Sequence, residues 1–203
     1  MTSIRVAFIR HGPTKWNRHK FLQGRSDQPL DEAGCLEVRG WKVPPEFDNW
    51  PVHVSPLVRT RQTAEILFGP GCKIEQALIE TDFGEWEGRT VADLRAELGS
   101  EMVDNEARGL DFLPPSGESP RMVQERVIPL LASWAKSGRN RMCVAHKGVI
   151  RAMLAKAYDW PMIGKAPQKL RWDAVHVFTV GVDGSVEPDT VNIPMTSEQS
   201  AHD

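Results

Sequence analysis

Apolar residues fall along this chain in short blocks of two kinds, and the spacing inside each block points to its element. Ile4-Arg5-Val6-Ala7-Phe8-Ile9 is apolar at five of six positions and stops at Gly12-Pro13, which predicts a buried strand over 4–9. Arg141-Met142-Cys143-Val144-Ala145 and Val175-His176-Val177-Phe178-Thr179-Val180 read as two more. Trp50-Pro51-Val52-His53-Val54 alternates loosely and predicts another strand, and Cys72-Lys73-Ile74-Glu75 a short edge strand. Helical spacing separates these blocks. Asp31 can N-cap a helix running to about Trp41, with Ala33, Leu36, Val38 and Trp41 as its apolar positions. Leu57 to Leu67, Thr90 to Leu98 and Val149 to Ala157 are further helices. Ser119, followed by Pro120 at the favoured first position, opens a helix with Val123, Val127, Leu130, Leu131 and Trp134 on one stripe. Pro13 to Pro29 reads as a long polar loop, and 104–115 as irregular and lid-like.

Buried strands alternating with one-sided helices require helices on both faces of a sheet. At 203 residues the chain suits one domain, expected over 1–195, with a polar, disordered tail over 196–203. Composition changes this picture little: 40% hydrophobic and 26% charged is ordinary for a soluble protein. The formal net charge of −2 leaves no electrostatic footprint for nucleic acid or an anionic membrane, so any useful positive charge must be local. No stretch approaches the roughly 18 apolar residues of a membrane span, and no signal-peptide pattern opens the chain. A cytoplasmic protein is expected. Cys35, Cys72 and Cys143 are odd in number and scattered, which implies neither a disulfide framework nor a zinc knuckle.

Local positive charge gathers where strands stop. The first strand ends at Arg10 and His11, the second at a turn and a helix whose first residues include Arg59, and the 141–145 strand at His146. In an open α/β sheet ligands bind at the carboxyl ends of strands. Arginine keeps its proton and offers a fork that fits two phosphate oxygens. A neutral imidazole is a competent nucleophile near pH 7. Four carboxylates in eight residues, Glu80, Asp82, Glu85 and Glu87, are mixed with Phe83 and Trp86, which suggests a loop packed on a pocket wall. Phe21, Trp86 and Phe112 could stack on an aromatic leaving group or belong to the core.

Six blocks resemble the histidine phosphatase superfamily, which includes the cofactor-dependent phosphoglycerate mutases. They are Arg-His-Gly-Pro-Thr-Lys-Trp-Asn at 10–17, Gln-Gly-Arg-Ser-Asp-Gln-Pro-Leu at 23–30 and Ser-Pro-Leu-Val-Arg-Thr-Arg-Gln-Thr-Ala at 55–64. Glu-Thr-Asp-Phe-Gly-Glu-Trp-Glu-Gly at 80–88, Ser-Gly-Glu-Ser at 116–119 and Ala-His-Lys-Gly-Val-Ile-Arg at 145–151 follow in order. The resemblance implies a three-layer α/β/α sandwich with a mainly parallel, mixed central sheet. It implies that His11 is the nucleophile, that Arg10, Arg59 and His146 complete the phosphate pocket, and that Glu80 is the general acid. Asp82, two residues on, is the rival for that last role. Asn17, Gln23, Gly24 and Arg61 lie in the matching blocks. Asn17 either donates to phosphate or fixes its loop, and Gln23 and Gly24 are further binding candidates. Lys147 stands where related phosphatases commonly have glycine; either it adds charge to the pocket or it points outward, and the outward course is expected.

The reading that results is a metal-independent phosphomonoesterase working through phosphohistidine, with no cofactor, on a small phosphorylated metabolite. The 80–88 block looks more like the phosphatases, including the α-ribazole phosphate phosphatase of cobalamin synthesis and members of broad specificity. A phosphoglycerate mutase is the alternative enzyme, and a catalytically silent phospholigand-binding module the non-enzymatic one. The partner implied is a small-molecule phosphomonoester, without nucleic acid or membrane; a homodimer is compatible with the sequence.

Overall fold

The first strand, β1 (Ser3–Arg10), shows how the molecule is layered. Its side chains alternate between two faces. Ile4, Val6 and Phe8 join one core cluster, Ala7 and Ile9 another, and none is more than 3% exposed. A strand apolar on both faces must be covered on both. Each large side chain fully buried this way contributes about 1.5–3 kcal/mol.

The computed structural model describes residues 3–197. After β1 come α1 (Lys15–Arg18), α2 (Glu32–Arg39), β2 (Trp41–Lys42), β3 (Val52–Val54), α3 (Val58–Phe68) and β4 (Lys73–Ile74). Next are α4 (Val91–Leu98), α5 (Ser100–Glu106), α6 (Pro120–Ala135), β5 (Arg141–Ala145) and α7 (Lys147–Ala157). The chain closes with β6 (Ala174–Gly181), β7 (Val186–Pro188), β8 (Ile193–Pro194) and β9 (Thr196–Ser197). Among the described residues the main sheet has seven strands, in the order β4-β3-β5-β1-β6-β7 with β8 also on β6. β4, β3, β5 and β1 pair parallel, while β6 is antiparallel to β1, β7 and β8. β6 thus runs against the other strands, and the sheet is mixed and mainly parallel, as expected.

α6 and α7 cover one face: Val123, Val127, Leu131, Ile150 and Met153 pack with Val6, Phe8, Cys143 and Phe178. α2 and α3 cover the other, where Val38, Ile66 and Leu67 meet Ala7, Ile9, Met142 and Val177. The result is the three-layer sandwich. A smaller cluster of Trp86, Leu94 and Met102, with Phe83 and Phe112 against it, supports the excursion that carries α4 and α5. Trp86 and Phe112, with ring centres 5.6 Å apart, therefore belong to a core.

Several local expectations need correction. Asp31 does cap α2, accepting from the Gly34 N–H at 2.6 Å, but the helix ends at Arg39 and Trp41 lies in β2. Its buried face is Gly34 and Val38, not Ala33 and Leu36; Leu36 is 60% exposed. The cause is close backbone approach: a Cβ at Gly34 would lie 2.1 Å from the Pro13 carbonyl oxygen, so a residue that apolar counting ignores fixes the face. The 104–115 stretch is less irregular than its sequence suggests, since α5 runs to Glu106 and a 3-10 turn spans Gly109–Asp111. α7 starts at Lys147, two residues before the expected Val149, with His146 as its N-cap. Within the expected tail, Thr196–Ser197 pair antiparallel with Trp41–Lys42; residues 198–203 lie outside the described residues. Among the described residues no helix is long and apolar enough to cross a membrane.

Candidate active site

Strand register assembles the site. β1 and β5 pair in parallel with Arg10 opposite Ala145, so the next residue of each strand, His11 and His146, emerges at the same edge. Their ring centres are 5.3 Å apart. β3 pairs with β5 at Val54 opposite Val144, which brings Ser55 to that edge as well. The pairing persists one step beyond the strands: the His11 N–H donates to the Ala145 carbonyl and the Ser55 N–H to the Val144 carbonyl, both at 3.1 Å.

Each histidine is held by one ring nitrogen. His11 Nδ1 lies 2.7 Å from the Gly12 carbonyl oxygen. A carbonyl only accepts, so Nδ1 carries the proton and the neutral ring has its lone pair on Nε2. His146 Nε2 lies 2.6 Å from Ser55 Oγ, and both residues are fully buried. If the hydroxyl donates, the His146 proton sits on Nδ1 and is available to an oxyanion. Burial pushes the pKa of His11 well below the ordinary histidine value, with the charges of Arg10 and Arg59 adding to it and the Gly12 bond opposing. His146 is lowered in the same way, by burial first and then by Arg59, His11, Arg10 and Arg126. Both rings are neutral near pH 7.

Arg59 projects from the first turn of α3 and is fully buried, while Arg61 on the same helix is exposed. The Arg59 guanidinium donates from Nη1 to the Ser26 carbonyl at 2.9 Å and from Nη2 to the Gly24 carbonyl at 2.7 Å. Thr63, one helical turn on, donates to the Arg59 carbonyl at 2.7 Å and accepts from the Gly12 N–H at 3.0 Å, which ties α3 to the turn carrying His11. Burial opposes the charge of both Arg10 and Arg59; Glu80 supports it in each. Among the described residues, the buried side-chain nitrogens and oxygens without a hydrogen-bond partner are Arg10 Nε, Arg59 Nε and His146 Nδ1. All three belong to this one site. Leaving such a group unpaired costs about 1–3 kcal/mol, and each is of a type that donates well to an oxyanion.

The four carboxylates of 80–87 have separate partners. Glu80 is 7% exposed; its carboxylate accepts from the Thr81 N–H at 2.8 Å and from the Gly148 N–H at 3.2 Å, at the start of α7. A Cβ at Gly148 would lie 2.4 Å from Glu80 Oε1, so glycine there lets the acid reach the helix end. Asp82 is turned to other work: it accepts from the Gly84 N–H at 2.8 Å and pairs with Arg25 at 3.1 Å. Glu85 accepts from Ser116 Oγ at 3.1 Å. Glu87 accepts from the Arg25 N–H at 2.7 Å and the Ser26 N–H at 2.8 Å, and so clamps the loop whose carbonyls hold Arg59.

The remaining candidates lie around this pit. Asn17 Oδ1 accepts from the Thr14 N–H and hydroxyl, both at 3.1 Å, which commits its oxygen to the loop and leaves its amide nitrogen as the donor. It also lines a cavity beside His11. Gln23 is buried with its side-chain amide 3.0 Å from Thr14 Oγ1, whose one proton it shares with Asn17, and Gly24 meets the site through its carbonyl on Arg59. Lys147 is exposed but does not simply point outward. Its Nζ lies 5.9 Å from the ring centre of Trp172, and the Arg10 guanidinium sits 5.2 Å from the same ring. Its backbone is helical, so no left-handed conformation is called for at that position. Sequence reading did not assign Ser55, Glu87 or Trp172. Ser55 had a signal, the Ser-Pro turn after a strand; Glu87 and Trp172 act through contacts distant in sequence. Among the described residues no group of three His, Cys, Asp or Glu side chains is gathered as a metal-ligand set.

Two buried histidines, the half-buried Arg10 and the buried Arg59 of α3 thus gather at the carboxyl ends of parallel strands. The model of the histidine phosphatase superfamily (branch 1) matches residues 6–186, and the chain belongs to that superfamily. It is 29% identical over 195 residues to a 2,3-bisphosphoglycerate-dependent phosphoglycerate mutase of Azorhizobium caulinodans, covering 89% of this chain and 94% of the relative. Among solved structures, a protein described as mycobacterial hydrolase 1 superposes with a TM-score of 0.78 at 25% identity, covering 96% of this chain and 99% of that one. A mycobacterial glucosyl-3-phosphoglycerate phosphatase superposes with a TM-score of 0.76 at 24% identity, covering 94% and 99%, and shares the fold.

Proposed function

We propose that this chain is a phosphomonoesterase that needs no metal and works through a phosphohistidine at His11, releasing the alcohol of a small phosphorylated metabolite. The observation that supports this most is the convergence on one site of partnerless Arg10 Nε, Arg59 Nε and His146 Nδ1 around a neutral imidazole whose lone pair is on Nε2. In this reading the Nε2 lone pair attacks phosphorus and the P–O bond to the alcohol breaks. Glu80 supplies the proton that the leaving oxygen needs, a contribution of about 10²–10⁴ in rate. Arg10, Arg59 and His146 hold the charge spread over the equatorial oxygens, and Asn17 adds an amide donor. In the second half Glu80, now a carboxylate, takes a proton from water; the water oxygen bonds to phosphorus, the P–N bond breaks, and inorganic phosphate leaves with His11 neutral again. Asp82 has no free role here, since its carboxylate is engaged by Arg25 and the Gly84 N–H.

The names of the curated relatives favour a second reading, phosphoglycerate mutase, in which another hydroxyl takes the phosphoryl group instead of water. One assay separates the two and tests both. With excess EDTA present, a generic aromatic phosphomonoester should be hydrolysed, and alkaline quenching should trap a phosphoryl group on His11. His11→Ala should lose about 10⁴-fold or more in kcat. Turnover surviving in His11→Ala, or requiring a divalent ion, overturns the proposal; transfer between phosphoglycerates that exceeds hydrolysis selects the mutase.

A further inference from the structure

A cavity of about 300 Å³ opens beside the phosphoryl pit, with His11 and Arg10 in its lining. Whatever occupies it is therefore continuous with a group bound at the reactive imidazole. Its volume is at the small end of ligand pockets, fit for something the size of one sugar ring or less. The rest of the lining is Pro13, Asn17, Trp41 and Trp172 and the two acidic residues Glu37 and Asp173. Asp173 is paired with Arg171 through both oxygens, Nε to Oδ1 at 3.1 Å and Nη2 to Oδ2 at 2.7 Å, and each oxygen keeps a lone pair for a further donor. Glu37 has no side-chain hydrogen bond or ion pair among the described residues. Burial raises its pKa; Arg18 and Arg10 act against that, and Asp173 and Asp31 with it. Arg10 is the cation of the lining and serves the phosphoryl end; Lys147 is not in the lining, though its Nζ lies 5.9 Å from the Trp172 ring centre.

Both carboxylates accept hydrogen bonds, Glu37, with no bonded counter-ion, repels anions, and two indoles offer apolar faces to the carbon skeleton of a sugar or polyol. We infer that the alcohol half of the substrate is a neutral polyhydroxy body, sugar- or polyol-like, whose hydroxyls donate to Glu37 and Asp173 while its carbon face rests on Trp172, and that a second anionic group on the substrate is selected against. This rests on the phosphatase reading and deepens it. It also bears on the mutase alternative, because a phosphoglycerate carboxylate or a bisphosphate would carry its extra charge towards Glu37.

The test is a matched pair of substrates, glycerol 3-phosphate and 3-phosphoglycerate, which differ in a hydroxymethyl against a carboxylate. The wild type should favour glycerol 3-phosphate by about tenfold or more in kcat/KM. Glu37→Gln, close in shape and on a solvent-facing helix, should narrow the ratio to about threefold, and Glu37→Lys should invert it, chiefly through KM for 3-phosphoglycerate. Thermal unfolding of each variant checks that the fold is kept. A wild-type preference for 3-phosphoglycerate, or a ratio that neither variant moves, overturns the inference while leaving hydrolysis intact. If no phosphomonoester is hydrolysed at all, including the generic aromatic ester, the phosphatase reading fails and this inference falls with it.

Discussion

The phosphoryl pit and the cavity beside it share Arg10 and His11 but are built on different terms. In the pit four side chains are each held at one end by a neighbour and keep another nitrogen or an oxygen lone pair free: His11 by the Gly12 carbonyl, His146 by Ser55, Arg59 by the Gly24 and Ser26 carbonyls, Glu80 by the Gly148 N–H. In the cavity Trp172 is positioned by ring and cation contacts, and Glu37 has no such anchor. A donor fixed before substrate arrives needs no reorganisation during the reaction, so the pit suits a charge that is the same in every phosphomonoester. A wall held by packing can change sequence without disturbing that pit. The contrast teaches that chemistry and selectivity are separable here, and mutations should divide accordingly.

The largest effect expected in the pit, after loss of the nucleophile, is at the acid. Glu80→Gln should slow turnover of an alkyl phosphate by about 10²–10⁴ and an aromatic ester with a good leaving group far less, because the second needs little protonation. Asp82→Asn should leave turnover within a few-fold. Loss of activity in Asp82→Asn but not in Glu80→Gln would reverse the assignment. A smaller effect tests how the pit is set. Ser55→Ala removes the partner of His146 Nε2, and kcat/KM should fall about tenfold with a changed pH profile, while Ser55→Thr, which keeps the hydroxyl, should recover most of it. An unchanged profile in Ser55→Ala would show that His146 does not depend on that hydroxyl.

The mildest effect is on stability and follows from burial. His11 and His146 are held neutral, and His176 is pushed down to about 4 by burial. Free histidine titrates near 6.5, so below that pH the unfolded chain binds more protons than the folded one. Stability from these groups is full above about pH 6.5 and declines as pH falls towards their folded values. The urea midpoint should be lower at pH 5.5 than at pH 7.5, and the acid limb of kcat/KM should lie below 6.5. A midpoint that rises on acidification would contradict the buried neutral state.

Much of the pit was legible because its residues sit at strand ends. Short continuous apolar runs located β1 and β5 and a loose alternation located β3, and parallel register then left little freedom in where His11, Ser55 and His146 emerge. What was illegible depended on contacts between distant segments. α2 turned its Gly34–Val38 face inward because of the Pro13 carbonyl, which no count of apolar residues weighs. The acidic run at 80–87 could be placed on a pocket wall and the resemblance preferred Glu80 to Asp82, but the loop contacts of Asp82, Glu85 and Glu87 were not readable. The cavity residues Glu37 and Trp172 are ordinary surface and loop residues in sequence, and share a wall only through the fold.

The clamp at Glu87 links two events that could have been independent. It lies seven positions after Glu80 and grips the backbone N–H groups of Arg25 and Ser26, in the loop whose Gly24 and Ser26 carbonyls steady Arg59. If this segment lifts, Glu80 and the brace of Arg59 depart together. The enzyme would then have no half-armed state that captures phosphate tightly without turning it over, and product could escape whenever the segment moves.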